Sequence, residues 1–276
     1  ALAAARDRFL EKTLFNQLEI ETAPFQKVND LESLHQAVRE VGLPGVLKTR
    51  TLGYDGKGQV VLREGDDLEA AWKHIGEVPA IFEGFVDFQR ELSIVSVRSR
   101  SGEVAFYPLA HNVHHRGILR ISRDLHEDSV QALAESYARK VLERLDYIGV
   151  LAIEFFQLGD HLLANEMAPR VHNSGHWTIE GSVTSQFENH LRAILDWPLG
   201  DTSSTGRAAM LNLIGELPDT RRILQVPGVH LHLYGKAPRR GRKLGHVTLV
   251  EPNEKLLQAK LDSLLPLVPG LHEAGL

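Results

Sequence analysis

The 276-residue sequence contains no cysteine, and its only methionines are Met167 and Met210. The lack of cysteine excludes disulfide bonds, thiolate metal sites and a cysteine nucleophile, and it favours a cytoplasmic location. The sequence also lacks an apolar run of membrane-spanning length and a charged-then-apolar leader, so we expect no membrane segment and no signal peptide. Because the first residue is Ala1, the start is interpreted as a processed or incomplete N-terminus.

Charge and composition describe an ordinary globular protein, with 43% hydrophobic and 24% charged residues. The net charge of −5 argues against a nonspecific nucleic-acid binder. The small polar stretch 200–206 is the best linker in the chain. We therefore predict two domains, 1–200 and 207–276.

The central feature of the sequence is a predicted hairpin formed by Val150 to Phe156 and Leu162 to Met167. If Gly159 to His161 is a three-residue loop, paired residue numbers sum to 320, and Glu154 faces Glu166 at about 4.5–5.5 Å between Cβ atoms. Two such charges repel by roughly 3 kcal/mol at an effective dielectric constant of about 20. A bound Mg²⁺ would offset this repulsion. The alternative is an off-register pairing with two solvated glutamates.

The segment from Ala168 to Trp177 follows this hairpin and has neither a helical nor a strand period. It is rich in polar, cationic and small residues. A long irregular segment of this composition is more typical of a binding loop than of a connector.

A second candidate site is the short strand Val46 to Lys48 followed by a glycine-rich segment through Gln59. Closely spaced glycines let backbone N–H groups approach an anion, although the Walker pattern is absent. Phosphate binding and an ordinary hairpin are equally compatible with this pattern. Ala80 to Val86 is predicted as a strand from which the chain turns away at Gly84. This segment could offer main-chain donors and acceptors to a planar base, and a plain strand-to-turn is equally compatible with it.

The remaining elements are predicted from periodicity and turn signals. Residues 1–18 form a helix whose Phe9, Leu10, Leu14 and Leu18 share one face, with Asp7 and Arg8 exposed. Asp30 caps the next helix. Helices are also predicted at 66–74, 129–145 and 183–195, strands at 90–97 and 104–109, and a polar loop with three histidines at 111–119. After the linker the order is strand, helix, strand, basic turn, strand and helix. The basic turn, Lys236 to Lys243, is either an anion site or a solvated hairpin tip.

Several separated motifs together resemble the ATP-grasp superfamily, and within it the N5-carboxyaminoimidazole ribonucleotide synthetases. The first resemblance rests on the order of five features along the chain: Lys48, the glycine loop, Glu83-Gly-Phe-Val86, Glu91 and the paired glutamates. The second rests on motifs at 53–59, 111–119, 165–177 and 241–246, of which the long central one is highly specific. Biotin-carboxylase-like enzymes read Glu-Met-Asn-Pro-Arg where this sequence has Ala168, which agrees with the purine enzymes.

The resemblance implies an α+β fold, an ATP-grasp fold with a mobile lid subdomain at about 45–85 and a small C-terminal α/β module. It also implies the ATP- and Mg²⁺-dependent carboxylation of aminoimidazole ribonucleotide by bicarbonate through carboxyphosphate, in a cytoplasmic homodimer, with Mn²⁺ as the alternative metal. The family carries an N-terminal domain that precedes the start of this chain, and substrate contacts made from that domain would be missing here.

The resemblance assigns the site residues as follows. The metal ligands are Glu154 and Glu166. The nucleotide-binding residues are Arg8, Lys48, Gly53, Tyr54, Asp55, Gly56, Lys57, Gly58, Gln59, Glu83, Gly84, Phe85, Val86, Glu91, His114, Asn165 and Glu166. The residues for bicarbonate and catalysis are Arg170, His172, Asn173 and Ser174. The ribonucleotide is assigned to these four together with Tyr54, Asp55, Lys57, Lys236, Arg242 and Lys243.

Two rival functions are weighed against this one. A formate-dependent ribonucleotide transformylase would share the ATP-binding half, but the Tyr54-Asp55 loop and the histidine-rich motifs fit it poorly. A non-catalytic nucleotide-binding module would be expected to have lost a metal carboxylate or the phosphate lysine, and both are present in pattern.

Overall fold

The computed structural model describes residues 1–51, 53 and 58–271. The helices are α1 Leu2–Ala5, α2 Arg8–Gln17, α3 Leu31–Val41, α4 Leu68–His74, α5 Gln131–Arg144, α6 Thr178–Gly181, α7 Gln186–Ile194, α8 Thr220–Leu224 and α9 Glu254–Leu264. The strands are β1 Phe25–Val28, β2 Gly45–Thr49, β3 Gln59–Leu62, β4 Ala80–Gly84, β5 Arg90–Arg98, β6 Val104–Phe106, β7 Ala110–His115, β8 Ile118–Asp124, β9 Gly149–Leu158, β10 His161–Ala168, β11 Arg207–Ile214, β12 Val229–Leu233 and β13 Lys243–Glu251. Within the described ranges, no helix combines the length and the apolar character needed to cross a membrane.

Side-chain caps explain where several helices begin. Asp30 accepts a hydrogen bond from the backbone N–H of Ser33 and completes a capping box, which confirms the predicted start of α3. Asp67 caps α4 by accepting hydrogen bonds from the backbone N–H groups of Glu69 and Ala70. The prediction of one helix over residues 1–18 is wrong. The helix is interrupted at Asp7, whose side chain caps α2.

The predicted apolar face of the first long helix is confirmed only in part, since Leu14 is buried but Leu10 is not. In α2 the buried positions include Glu11 at 2% and Lys12 at 1% exposure, whereas Leu10 is 49% exposed. A charged residue can be fully buried only where it is paired. The burial of these two charges therefore indicates a polar environment on the inner side of α2.

The chain divides into two compact units, and the first comprises Ala1–Arg90 and Ile153–Met167. Its four-stranded antiparallel sheet has the order β1-β4-β2-β3. The core of this sheet is formed with α3 and α4 by Val28, Leu34, Leu47, Trp72 and Phe82. The strands β2 and β3 pair directly, so the glycine-rich segment does connect the two strands of a hairpin.

The second unit comprises Glu91–Ala152 and Ala168–Leu276, and it contains a larger antiparallel sheet with the neighbouring order β5-β7-β8-β11-β13-β12. The prediction of a loop over 111–119 is wrong, since β7 and β8 form a hairpin there. Strands were predicted at both positions, and β6 pairs with β5. The order of elements after the linker is confirmed, with α8 and α9 packed on β11 and β13. The division at 200–207 stays a prediction.

The central hairpin is present, but its loop differs from the prediction. Strand β10 begins at His161, so the loop contains two residues, Gly159 and Asp160, rather than three. A two-residue loop is the commonest hairpin connection, and Gly159 has the positive φ of 59° that such turns use. Next to the loop, the numbers of paired residues in β9 and β10 are therefore expected to sum to 319 rather than 320.

Candidate active site

A buried carboxylate held by two lysines lies at the centre of the first unit. Val46 of β2 pairs with Glu83 of β4, so Lys48, two residues further along β2, projects from the same face as Glu83. The Lys48 Nζ lies 2.9 Å from the Glu83 Oε2, and the Lys12 Nζ lies 3.2 Å from the same oxygen. Lys12 also donates to the carbonyl oxygen of Ala164 at 3.4 Å. The structure thus brings Lys48 and Glu83 together as a pair and adds Lys12 to them.

The electrostatics of this cluster favour the ionised carboxylate. Burial alone would raise the pKa of Glu83, but the positive charges of Lys48 and Lys12 outweigh burial and lower the pKa from 4.5 to about 2. Burial lowers the pKa of Lys12, and the negative charge of Glu83 opposes this effect. Glu83 Oε1 is buried and has no hydrogen-bond partner within the described part of the chain. One oxygen of the carboxylate thus holds the lysines, and the other can accept a hydrogen bond.

Acid is expected to weaken the fold through Glu83. Because its pKa is lower in the folded than in the unfolded chain, its stabilisation is present above pH 4.5 and is lost as the pH falls towards about 2. A lowering of this size corresponds to about 3 kcal/mol. Urea unfolding of the wild type and of Glu83→Gln should show a stability difference at pH 6 that shrinks towards pH 3. A difference that stays constant over this range would contradict the assignment.

A second ion pair lies on the same side of α2. The Arg8 Nη1 lies 3.0 Å from the Glu166 Oε2, and the Arg8 Nη2 donates to the carbonyl oxygen of Gly53 at 3.3 Å. Asp7 receives hydrogen bonds from Arg50. The prediction that Asp7 and Arg8 are exposed is wrong, since their side chains are only 17% and 18% exposed. Arg8 thus connects the start of the glycine segment to a predicted metal ligand.

Glu11 adds a third carboxyl group to this region. Its Oε1 accepts a hydrogen bond from the backbone N–H of Met167 at 2.6 Å. Burial raises its pKa well above the ordinary value, and the charge of Glu166 adds to the rise. Arg8, Glu11 and Lys12 are spaced i, i+3 and i+4, so α2 directs three ionisable groups inward from one face.

The burial pattern of the central hairpin bears on whether Glu154 and Glu166 share a face. Along β9, Glu154 belongs to the half-buried set that alternates with fully buried neighbours. Along β10 the alternation is interrupted, because Asn165 and Glu166 are both half-buried. An extra residue of this kind is typical of a β-bulge, which shifts the register by one. At such a bulge the sum of the paired residue numbers would change from 319 to 320. Glu166 would then lie on the same face as Glu154, so we still expect the two carboxylates to meet.

The donor set at this hairpin fits a hard divalent cation. The side-chain oxygen of Asn165 is buried and lacks a hydrogen-bond partner among the described residues. The described ranges contain no group of three or more His, Cys, Asp or Glu side chains that could hold a metal by themselves. Mg²⁺ in nucleotide sites is usually held by one or two carboxylates and completed by phosphates and water. Glu154, Glu166 and Asn165 therefore suit Mg²⁺ that arrives with a nucleotide.

The segment from Glu83 to Val86 offers fewer free main-chain donors than its sequence predicted. The N–H of Gly84 donates to the carbonyl oxygen of Pro24 at 2.9 Å, and the N–H of Phe85 donates to that of Pro44 at 3.0 Å. Any base that binds here has to use the Glu83 side chain, the carbonyl groups or the main chain from Val86 onwards.

In the second unit, Glu91 and His114 are in direct contact. Glu91 of β5 pairs with Asn112 of β7, which places His114 two residues further along β7. A carboxylate oxygen of Glu91 contacts the His114 Nδ1. The two predicted nucleotide residues of this unit are thus brought together.

The loop that contains Arg170, His172, Asn173 and Ser174 is fixed by two buried amides. The Gln186 side chain accepts from the N–H of His172 at 2.9 Å and donates to the carbonyl oxygen of the same residue at 2.7 Å. The Asn173 and Asn212 amides exchange two hydrogen bonds, at 3.0 and 2.7 Å. Gln186 and Asn212 are fully buried. The segment, which contains a short 3-10 helix at Asn173–Gly175, is therefore held in place by side-chain amides.

Charges from two parts of the second unit act on one histidine. Burial lowers the pKa of His176 to about 4, and the positive charges of Lys243 and Arg170 contribute to the same direction. Lys243 and Arg170 therefore lie close enough to His176 to influence it, although they are far apart in sequence. By contrast, Lys236 packs over the Tyr234 ring at 5.1 Å, and Arg242 donates to the carbonyl oxygen of Ala237 at 3.2 Å.

Some predicted residues lie outside the described ranges, and some residues of the site were missed. Tyr54, Asp55, Gly56 and Lys57 belong to the first group. Glu11, Lys12, Gln186 and Asn212 belong to the second, because charged and amide residues inside regular elements are mostly exposed and do not stand out in the sequence. The one available signal was the i, i+3, i+4 spacing from Arg8.

Comparison with known proteins agrees with this geometry. Residues 13–187 match the ATP-grasp domain, and residues 208–260 match the phosphoribosylaminoimidazole carboxylase C-terminal domain. The N5-carboxyaminoimidazole ribonucleotide synthase of Pseudomonas aeruginosa is 53% identical over 268 residues, which is 97% of this chain and 74% of the relative.

Two solved structures extend the comparison. The N5-carboxyaminoimidazole ribonucleotide synthetase of Thermus thermophilus superposes with a TM-score of 0.91 and 52% identity, covering 97% of this chain and 74% of that one. The Aspergillus clavatus synthase in complex with ADP and 5-aminoimidazole ribonucleotide superposes with a TM-score of 0.88 and 30% identity, covering 96% of this chain and 73% of that one. The chain belongs to the N5-carboxyaminoimidazole ribonucleotide synthase family of ATP-grasp enzymes.

Proposed function

We propose that this chain catalyses the ATP- and Mg²⁺-dependent carboxylation of 5-aminoimidazole ribonucleotide by bicarbonate. The products are N5-carboxyaminoimidazole ribonucleotide, ADP and phosphate, in purine biosynthesis. We also propose a cytoplasmic homodimer, as the resemblance implies.

The observation that carries the proposal is the buried carboxylate of Glu83 between Lys12 and Lys48. Its Oε2 is held by both lysines, which leaves Oε1 to accept a hydrogen bond. The exocyclic amine of adenine is a donor that suits this oxygen, whereas the carbonyl group of guanine would leave two acceptors in contact. The cluster therefore supports binding of ATP in preference to GTP.

The phosphate end of the nucleotide is assigned to Lys48 and to Arg8, which donates to the carbonyl oxygen of Gly53. Phosphoryl transfer needs positioning and charge neutralisation more than covalent chemistry. Lys48 and Arg8 supply positive charge, and the glycine segment from Gly53 to Gln59 is proposed as a lid that excludes water from the reacting phosphates. Mg²⁺ held by Glu154 and Glu166 would supply the remaining neutralisation when it is bound.

The carbon chemistry is assigned to the fixed loop from Arg170 to Ser174. An oxygen of bicarbonate attacks the γ-phosphorus of ATP, the bond to the β-phosphate oxygen breaks, and ADP leaves with carboxyphosphate formed. The exocyclic amine of the ribonucleotide then attacks the carboxyl carbon of carboxyphosphate. The bond between this carbon and the oxygen that bridges to phosphorus breaks, phosphate leaves, and the amine loses a proton. Arg170 supplies charge for the anionic intermediates, and His172 and Asn173 supply hydrogen bonds. Ser174 was predicted to do the same, but its side chain is fully buried and contacts His172 instead.

One assay separates this proposal from its rivals. ADP release is measured with bicarbonate, formate or no carbon source, each with and without aminoimidazole ribonucleotide. We expect release that requires both bicarbonate and the ribonucleotide. Release with formate would indicate a transformylase, and nucleotide binding without any release would indicate a non-catalytic module.

The basic turn provides a test of the substrate assignment in the second unit. We propose that Arg242 and Lys243 bind the 5′-phosphate of the ribonucleotide together with Lys236. Since a charge-assisted hydrogen bond contributes about 1.5–3 kcal/mol, Arg242→Ala should raise the KM for the ribonucleotide roughly ten- to a hundredfold. The KM for ATP should hardly change. Arg239→Ala, an exposed arginine of the same turn, is the matched control. A normal ribonucleotide KM, or an equal loss for ATP, would remove the phosphate role of Arg242.

A further inference from the structure

A chain of buried polar side chains in the second unit leads to His172. The Asn112 Nδ2 donates to the Ser93 Oγ at 2.9 Å, and the Ser93 Oγ donates to the Ser174 Oγ at 2.8 Å. The Ser174 Oγ lies 2.8 Å from the His172 Nδ1. Ser93, Asn112 and Ser174 are 0%, 3% and 0% exposed. Water therefore has no access to most of this chain, and the protons within it are ordered by the protein.

The direction of the chain determines which nitrogen of His172 carries the proton. Each serine hydroxyl has one proton, so the protons must all point towards His172 or all point away from it. The backbone N–H of Ser174 also donates to the His172 Nδ1, at 3.4 Å. A backbone N–H cannot be reversed, and a proton on Nδ1 would face it directly. The fixed donor therefore selects the direction that ends with Nδ1 as an acceptor.

The far end of the chain is compatible with the same direction. The Ser122 Oγ lies 2.8 Å from the Asn112 Oδ1 and 2.9 Å from the carbonyl oxygen of Ser174, and its one proton is shared between these two acceptors. In this arrangement the amide nitrogen of Asn112 faces Ser93 as a donor. Ser122, Asn112 and Ser93 lie on three neighbouring strands, β8, β7 and β5, so the sheet fixes the order of the chain.

We infer that Ser93 and Asn112 are positioning residues that hold neutral His172 with its proton on Nε2, so that His172 meets its substrate as a hydrogen-bond donor. The other tautomer would offer an unprotonated Nε2, which could only accept. A donor at this position stabilises negative charge on an oxygen of bicarbonate or carboxyphosphate. This consequence rests on the proposed function, but the tautomer itself does not.

The tautomer can be measured in the wild-type chain without any substrate. Nitrogen-15 NMR of histidine-labelled protein distinguishes a protonated from an unprotonated ring nitrogen, and His172→Gln identifies the signals of this residue among the 14 histidines. We expect a protonated Nε2 and an unprotonated Nδ1 at pH 7.5. A protonated Nδ1 would overturn the inference, whatever the enzyme is found to catalyse. The expected tautomer in a chain that shows no carboxylation would overturn only the proposed function.

Two variants test whether the chain is responsible for the tautomer. Asn112→Asp replaces the donor with an acceptor, so the hydroxyl chain then opposes the fixed N–H of Ser174, and the fraction of His172 that carries its proton on Nδ1 should rise. Ser93→Ala should lower kcat about three- to tenfold with little change in the KM for ATP. The matched control is Ser96→Ala, since Ser96 is equally buried on β5 but donates to the carbonyl oxygen of Leu151. An unaltered tautomer in Asn112→Asp, or equal losses in the two serine variants, would contradict a positioning role.

Discussion

Replacing Glu166 with glutamine should lower kcat/KM for ATP by about 10³-fold, because the transferred phosphoryl group loses part of its charge neutralisation. The substitution preserves the size of the side chain and removes one negative charge from the proposed Mg²⁺ site. The Mg²⁺ concentration that gives half-maximal ADP release should rise in parallel. Glu154→Gln should have the same two effects if both carboxylates share the metal.

The control for these variants is Glu69→Gln, an exposed carboxylate that pairs with Lys73 on α4. This change should leave both quantities within twofold of the wild type. Activity of Glu166→Gln that is near normal, with an unaltered Mg²⁺ requirement, would show that the metal is held elsewhere. A loss in Glu166→Gln alone would instead assign the effect to the contact with Arg8 at 3.0 Å.

Replacing Lys12 with methionine should destabilise the first unit by about 3–5 kcal/mol, because the substitution breaks a buried ion pair and leaves its partner charged. Methionine has a similar length and no charge, so the loss of packing is small. Urea unfolding at pH 7 measures the change. Lys27→Met on β1 is the control, since Lys27 is exposed and surface substitutions usually change stability by less than about 0.5 kcal/mol.

A double-mutant cycle with Glu83→Gln assigns the effect to the pair. Lys12 and Glu83 are in contact at 3.2 Å, so their separate effects should not add, and the coupling should be of order 1–3 kcal/mol. Additive effects would mean that Lys12 stabilises the unit through its contact with Ala164 or through packing, and not through Glu83.

The parts of the fold that could be predicted are those with a strong local signal. The Asp30 cap, the elements after the linker and the strands on either side of the glycine segment all carry cap, turn or alternation signals that need no tertiary contact. Lys48 could be singled out because it ends a short apolar strand, whereas Glu83 was assigned through the resemblance.

The parts that were missed depend on contacts between distant segments. Lys12 looks like a surface residue of an amphipathic helix, and only the approach of β4 explains its burial. The strands over 111–119 were not recognised in the sequence because His111, Asn112 and His114 are polar. The structure shows that Asn112 forms its hydrogen bonds inside the sheet, with Ser93 and Ser122. The loop after β9 contains one residue fewer than predicted, since His161 already belongs to β10.

The candidate active site shows the same division. Resemblance assigned Arg170 to Ser174 to the carbon chemistry, but neither pattern nor resemblance indicated that Gln186 and Asn212 fix this loop. Buried amides of this kind leave no periodic signal, because a single Gln or Asn within an apolar element is compatible with exposure. Their contacts become visible only when the loop and its supporting elements are placed together.

The transfer of oxygen from bicarbonate to phosphate tests the central claim most directly. Bicarbonate labelled with ¹⁸O is supplied with ATP and aminoimidazole ribonucleotide, and the released phosphate is examined by mass spectrometry. The proposed attack of a bicarbonate oxygen on the γ-phosphorus, followed by cleavage of the carbon–oxygen bond, places a single labelled oxygen in each phosphate. Phosphate that contains no label while the ribonucleotide is carboxylated would contradict the carboxyphosphate route.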